Sequence, residues 1–185
     1  PLPESFHGAI MRDATATLTR HGHRVDLCDL YAEGFDPVLS AEARRRYHDE
    51  GRNQQGLEDY VARLRAAEAL VVQFPTWSFG PPAMLKGFFD RLLMPGVAFD
   101  ISDPARVVPL LQHITRLVGI STDGRPRSRA IIVGDPPRKI VKRYLRWFIA
   151  RRAAVDYLAL YHMNVATEPE RTAFLGKVVR TMERL

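Results

Sequence analysis

Apolar residues recur along this chain with two different periods, and the two alternate. Phe6, Ile10, Ala14 and Leu18 fall four residues apart behind Ser5, which suits a helix cap, and His21-Gly22-His23 closes the run. A short strand-like run at 24–30 leads into a mostly polar stretch, 31–56, with room for one short helix at 41–49. Leu57, Val61, Leu64 and Ala67 mark one side of a further helix, and 69–74 reads as a strand. Met84, Leu85, Phe88, Phe89, Leu92 and Leu93 form the apolar face of a helix at 82–93. A long connection at 95–113 then reaches a strand at 117–121, an amphipathic helix at 137–151, a last strand at 155–161 and a closing helix at 168–185. Strands alternating with helices predict an α/β architecture, a parallel sheet wrapped on both faces, in one domain over 1–185. Residue 1 is proline and no strand precedes the first helical pattern, so a first strand upstream of Pro1 is expected.

In such a sheet, ligands bind beyond the carboxyl ends of the strands, and three stretches are expected to meet there. The first, around Glu4, Ser5, Phe6 and His7, offers a hydroxyl and free amides at a helix N-terminus, suited to a phosphate or to simple capping. In the second, Pro75 ends a strand, Trp77 and Phe79 offer flat surfaces, and Gly80, Pro81 and Pro82 lead into the next helix. Thr76 and Ser78 complete that turn. The third, Ser121-Thr122-Asp123-Gly124, is small enough for its backbone to approach a ring edge. Each stretch alone has an ordinary structural reading. Together, a phosphate cradle, an aromatic turn and a small-residue turn point to a flavin mononucleotide moiety. Neither a Gly-x-Gly-x-x-Gly nor a Walker sequence is present, which argues against a glycine-rich dinucleotide site or an ATPase.

Composition narrows the picture further. A 46% hydrophobic, 26% charged chain of 185 residues is ordinary for a globular domain, and no run of apolar residues has the length of a membrane span. Cys28 is the only cysteine, so no intramolecular disulfide or thiolate zinc cage can form, and a cytoplasmic location is expected. Within its strand-like run Cys28 reads as a buried, inert thiol. Six scattered histidines show no metal-ligand spacing, so no metal is expected. His162, just after the last strand, either faces the ligand edge or lies on the surface.

Several stretches in order resemble a known family: Ser5-Phe6-His7, Asp29-Leu30-Tyr31, Phe35-Asp36-Pro37, Gln73-Phe74-Pro75, Pro82-Ala83-Met84-Leu85-Lys86-Gly87, Asp90-Arg91 and Pro95-Gly96-Val97-Ala98-Phe99. They are similar to the flavodoxin-like NAD(P)H quinone oxidoreductases, including bacterial relatives once grouped as modulators of drug activity and potassium-efflux ancillary proteins. Beyond Gly124 the resemblance rests on the strand and helix pattern. It implies a flavodoxin-like three-layer fold with a five-stranded parallel sheet in the order 2-1-3-4-5. It also implies a homodimer that binds FAD or FMN non-covalently, accepts a hydride from NAD(P)H and passes two electrons to a quinone in ping-pong fashion. By position, Glu4, Ser5, Phe6 and His7 would hold the phosphate region. Pro75, Thr76, Trp77, Ser78 and Phe79 would line the ring, and Ser121, Thr122, Asp123 and Gly124 would hydrogen-bond its pyrimidine side. The best-known members carry a tyrosine and a histidine soon after the small-residue turn. Here Arg125-Pro126-Arg127-Ser128-Arg129 and Gly134-Asp135-Pro136 occupy that region, so no catalytic residue is assigned. Trp77 stands one place earlier than the commonest ring-facing aromatic of that family.

Charge is concentrated in one place. Between Arg125 and Arg152 ten Lys or Arg residues face one acid, Asp135, a local +9 in a chain of net +6. The plainest reading is the solvated face of an amphipathic helix. Three functional readings follow in order: nucleotide phosphates attracted by Arg125, Arg127 or Arg129; peripheral contact with anionic membrane lipid; and nucleic acid, which no recognition motif supports. A regulatory, redox-sensing flavoprotein or interaction module that binds a partner through this basic face is the alternative to an enzyme.

Overall fold

In the computed structural model, which describes residues 2–103 and 105–185, three parallel strands form the main sheet. Their order is β1 (Ala69–Pro75), β4 (Arg116–Thr122), β5 (Ala154–Leu160). Phe74 pairs with Ser121 and Pro75 with Thr122; Ser121 in turn pairs with Ala159 and Thr122 with Leu160, so the three carboxyl ends are level. Pro75 continues the ladder by position, and the next amide, Thr76 N–H, still donates to Thr122 O at 2.9 Å.

Each face of the sheet is covered. On one side α1 (Phe6–Arg20) and α8 (Glu168–Met182) pack against Val118, Ile120 and Leu158 through Ile10, Ala14, Phe174, Val178 and Met182. Ser5 caps α1 by accepting from Gly8 N–H at 3.1 Å, as the sequence predicts. Thr167 and Glu170 form a capping box that starts α8. On the other side α3 (Glu58–Ala66), α4 (Ala83–Leu92) and the segment 140–149 enclose Leu117 with Val61, Leu64, Phe89, Leu92, Val141 and Phe148. Gly119 permits this close approach, because a Cβ there would lie 2.5 Å from a Val141 methyl and 3.0 Å from the Tyr157 ring.

Several expectations are corrected. The run 24–30 is no strand of this sheet; Leu27 and Cys28 are exposed, so the thiol is not buried in a core. Without a neighbouring strand its backbone has no ladder to join. The segment is held from outside instead, by the Arg63 guanidinium, 2.8 Å from both Asp26 and Glu33 carboxylates. Cys28 remains chemically quiet, since desolvation first and the nearby Glu33 carboxylate after it push the thiol up to about 11. Among the described residues the main sheet has three strands of the five that the resemblance implies. The long connection contains an antiparallel hairpin, β2 (Phe99–Asp103) with β3 (Arg106–Pro109).

The expected helix at 137–151 forms as one continuous helical run from Pro136 to Phe148 with a π-helical middle. It runs as α6 (Pro136–Lys139), a π-helical turn (Ile140–Leu145) and α7 (Arg146–Phe148), with Arg146 N–H reaching back to Val141 O. An unexpected short helix, α5 (Arg127–Ile132), precedes it. The short helix α2 (Ala41–Arg46) lies within the predicted 41–49.

Candidate functional site

All three predicted stretches converge at the carboxyl edge of the sheet. His7, in the first turn of α1, places Nε2 2.8 Å from Thr122 Oγ1, while Gln73 Nε2 on β1 lies 3.2 Å from His7 Nδ1. The same Gln73 nitrogen donates to the His7 carbonyl at 2.7 Å, which fixes it as the amide nitrogen. His7 Nδ1 therefore accepts, and Nε2–H donates to Thr122. Burial draws the imidazole down from its ordinary 6.5 to about 4, so this neutral tautomer persists at physiological pH. His7 is thus a clamp joining α1, β1 and β4, and its ring is not free to hold a phosphate.

Ser5 is half-buried and caps its helix, Phe6 packs on Phe174 with ring centroids 6.2 Å apart, and Glu4 is exposed. Pro1, the outer end of the expected loop, lies outside the described residues. The N–H groups of Phe6 and His7 occupy the first two helical positions of a 15-residue helix, where no intrahelical acceptor exists. Gly8 allows the loop to pass close, because a Cβ there would collide with the Pro3 carbonyl.

The aromatic turn is tight and strained. Trp77 N–H donates to Gly80 O and Gly80 N–H to Trp77 O, both at 2.8 Å, closing a two-residue hairpin. Its tip, Ser78 and Phe79, takes φ of +49° and +61°, the left-handed pair that such a primed turn requires and that side chains disfavour. Trp77 is 68% exposed and Phe79 half-buried, so aromatic surface is left open.

By contrast, Ser121, Thr122 and Asp123 are buried and engaged. Ser121 Oγ meets Tyr157 Oη at 2.7 Å, Thr122 faces His7, and Asp123 Oδ1 accepts from Arg125 N–H at 2.8 Å. Burial lifts the Tyr157 phenol to about 12, keeping it protonated. Asp123 N–H donates to Leu160 O and its carbonyl accepts from Met163 N–H, both at 2.9 Å. Gly124 is left at the edge, with Asn164 filling the space a Cβ would need. With the side chains and the Asp123 backbone engaged, Gly124 is the part of the turn left to a ligand.

Three features escape the sequence reading. Gln73 and Tyr157 support the site from behind, and Tyr161 Oη donates to Asp135 Oδ2 at 2.9 Å, tying the segment after β5 to the end of α5. A pocket of about 370 Å³ lies beside the end of β5, lined by Leu160, Tyr161, His162, Glu170, Phe174 and Lys177; it shares no residue with the three stretches, and His162 is exposed there. A wider depression, about 810 Å³, shares no residue with the three stretches; Tyr47, Phe99, Arg143, Tyr144, Trp147 and Phe148 are among those lining it. No cluster of His, Cys, Asp or Glu suited to a metal ion occurs among the described residues. No helix among them is long and apolar enough to cross a membrane.

Comparison with known proteins agrees with this geometry. A family model described as a flavodoxin-like fold matches residues 1–134. Human ribosyldihydronicotinamide dehydrogenase [quinone] is 35% identical over 166 residues, 78% of this chain and 68% of that protein. The FMN-dependent NADH:quinone oxidoreductase of Yersinia pestis (strain Pestoides F) is 27% identical over 160 residues, 80% of this chain and 74% of that one. The crystal structure of Smu.1420 from Streptococcus mutans UA159 superimposes with a TM-score of 0.84 at 29% identity, covering 100% of this chain and 95% of the other. The chain spans about half to two thirds of the length of the mammalian relatives it matches.

Proposed function

Given that the chain belongs to the flavodoxin-like NAD(P)H quinone oxidoreductase family, we propose that it is a flavin-dependent oxidoreductase acting on quinones or similar acceptors with NAD(P)H as donor. The observation that carries this reading is the meeting of the α1 N-terminus, the Trp77–Gly80 turn and Gly124 at one level sheet edge. The residues present fit FMN or FAD: unpaired helix N–H groups for a phosphate, an open aromatic surface for a flat ring, and a backbone edge for its polar atoms.

When bound, the flavin supplies a centre that takes a hydride from NAD(P)H and passes two electrons to the acceptor in ping-pong order. The chain's own residues bind and orient. The Phe6 and His7 amides, with the dipole of α1, attract the phosphate. Ser78 and Phe79 would offer their amides to the polar edge of the ring, and Trp77 and Phe79 their aromatic surfaces. His7, Gln73 and Tyr157 hold these pieces in register without touching the ring. Arg125, Arg127 and Arg129, exposed beyond Gly124, draw in the phosphates of the donor. The pocket of about 370 Å³ beside β5 has room for the second half of FAD, which FMN lacks.

The sheet of the working protein holds five strands in the order 2-1-3-4-5. Among the described residues β1 pairs on one side only, with β4, and the run 24–30 has no ladder partner. One strand between them, with 24–30 outside it, completes the set. The protein works as a cytoplasmic homodimer, and the basic segment contacts membrane lipid.

Anaerobic NADPH, followed by a soluble quinone, tests the enzymatic reading. Bleaching of the visible flavin band by one equivalent of donor and its full return with one equivalent of quinone is expected, and mass analysis of the released cofactor identifies FAD or FMN. A protein that cannot be loaded with either flavin contradicts the reading. The +9 segment favours a second reading, a redox-sensing partner-binding flavoprotein, which bound flavin with negligible turnover would support.

A further inference from the structure

Among the described residues Asp123 is the only charged side chain that is buried, at 4% exposed. It stands directly after β4 and one residue before Gly124. Its carboxylate receives one hydrogen bond among the described residues, from Arg125 N–H to Oδ1 at 2.8 Å. No Lys, Arg or His nitrogen of those residues pairs with it. The backbone on both sides of the side chain is pinned, since Asp123 N–H donates to Leu160 O and Met163 N–H donates to Asp123 O, both at 2.9 Å. The carboxylate is therefore held away from water and without a cation.

The shape of the turn does not ask for a charge. A bond from the amide two residues on closes an Asx turn, which Asn closes equally well and Ser closes with its hydroxyl. Burying a carboxylate without a cation is costly, and perturbing environments of this kind gather at working sites. A charge fixed in such a place is weakly screened, so its field acts on whatever lies against Gly124. A metal ligand would need further donors beside it, and no such cluster occurs among the described residues.

We propose that Asp123 sets the reduction potential of the bound flavin: its negative charge, next to the edge that receives the pyrimidine side of the ring, opposes the electron density gained there on reduction and lowers the midpoint. This rests on the flavin-reductase reading. Asp123 itself makes and breaks no bond. A lower midpoint makes the loaded protein a stronger reductant, which favours acceptors that are hard to reduce.

Equilibration of the flavin-loaded protein with a reference dye, in wild type, Asp123→Asn and Asp123→Ser, tests this. Both variants keep an acceptor for Arg125 N–H and differ in size, so either one that folds gives the answer. Each is expected to raise the two-electron midpoint by about 30 mV, a tenfold change in the equilibrium constant. The dissociation constant of oxidised flavin should stay within about twofold, while reduced flavin is held about tenfold more tightly. Turnover of menadione should fall relative to that of 1,4-benzoquinone, which is the easier of the two to reduce. Equal weakening of both flavin forms with an unchanged midpoint marks a turn-forming role alone and overturns the proposal, as does a midpoint that falls. Flavin that loads and bleaches with NADPH while its midpoint ignores both substitutions contradicts the proposal alone. A wild-type protein that takes up neither FMN nor FAD contradicts the enzymatic reading, and the proposal falls with it.

Discussion

The two turns that flank the cleft sit at the same level of one sheet and use their residues in opposite ways. Between Trp77 and Gly80 the backbone satisfies itself, the tip is left-handed at two non-glycine residues, and the side chains are left open. Between Ser121 and Asp123 every side chain is spent on a protein partner, and Gly124 alone is left as the open edge. One turn stores strain in return for surface; the other gives up surface for rigidity. A site that must hold a flat ring in fixed orientation needs both, a rigid wall to define position and an open one to supply contact.

The contrast is broken most severely at His7. Replacing it by Leu leaves the buried Thr122 hydroxyl without its partner and removes one of the two acceptors of the Gln73 amide, a loss of about 1–3 kcal/mol in urea unfolding. Its titration adds a pH signature. Because burial draws the folded-state pKa from 6.5 to about 4, the unfolded chain binds a proton across that window that the folded chain refuses. Stability therefore falls as pH drops from 6.5 to about 4, and that component of the slope should vanish in His7→Leu. Unfolding curves at pH 7, 5 and 4 on both proteins would show it, and parallel slopes would contradict the clamp.

A smaller effect is expected at Tyr157→Phe. It strands the Ser121 hydroxyl at a cost of about 1 kcal/mol, with flavin affinity changing only as the wall loosens. Ser78→Gly should act in the opposite direction. It relieves a left-handed side chain and so raises stability by about 0.5–1 kcal/mol, while a more mobile tip weakens flavin binding. Trp77→Ala should change stability least, within about 0.5 kcal/mol, because the ring is mostly in solvent. Flavin affinity should nonetheless fall several-fold, about 1 kcal/mol of stacking. A stability loss at Trp77 larger than at Tyr157 would reverse the assignment of the two turns.

What the sequence shows of this arrangement follows from how local each signal is. Ser5 and the four-residue spacing of Phe6 to Leu18 define α1, and the apolar runs ending at Pro75 and Thr122 define β1 and β4, since each is read within a dozen residues. The run 24–30 has the composition of a strand, but a strand needs a neighbour, and composition does not reveal one. Phe99 and Ile101 alternating with Asp100 and Ser102 carried a period-two signal for the β2–β3 hairpin that the length of the connection obscured. Gly134 behind an apolar run with Arg129 in the last turn was a stop signal for α5. In the site, the residue types of the two turns were legible, whereas the direction of their side chains was not. Thr122 points inward because His7, 115 residues away, meets it, and Ser121 because Tyr157, 36 residues away, does.

The chain contains two tryptophans, Trp77 at the proposed flavin turn and Trp147 in the larger aromatic depression. Tryptophan emission during titration with FMN and FAD, in Trp77→Phe and Trp147→Phe proteins, therefore tests most directly where the flavin sits. The account predicts strong quenching that survives Trp147→Phe and disappears in Trp77→Phe. Quenching that instead disappears with Trp147 would place the flavin in the other depression and contradict the account.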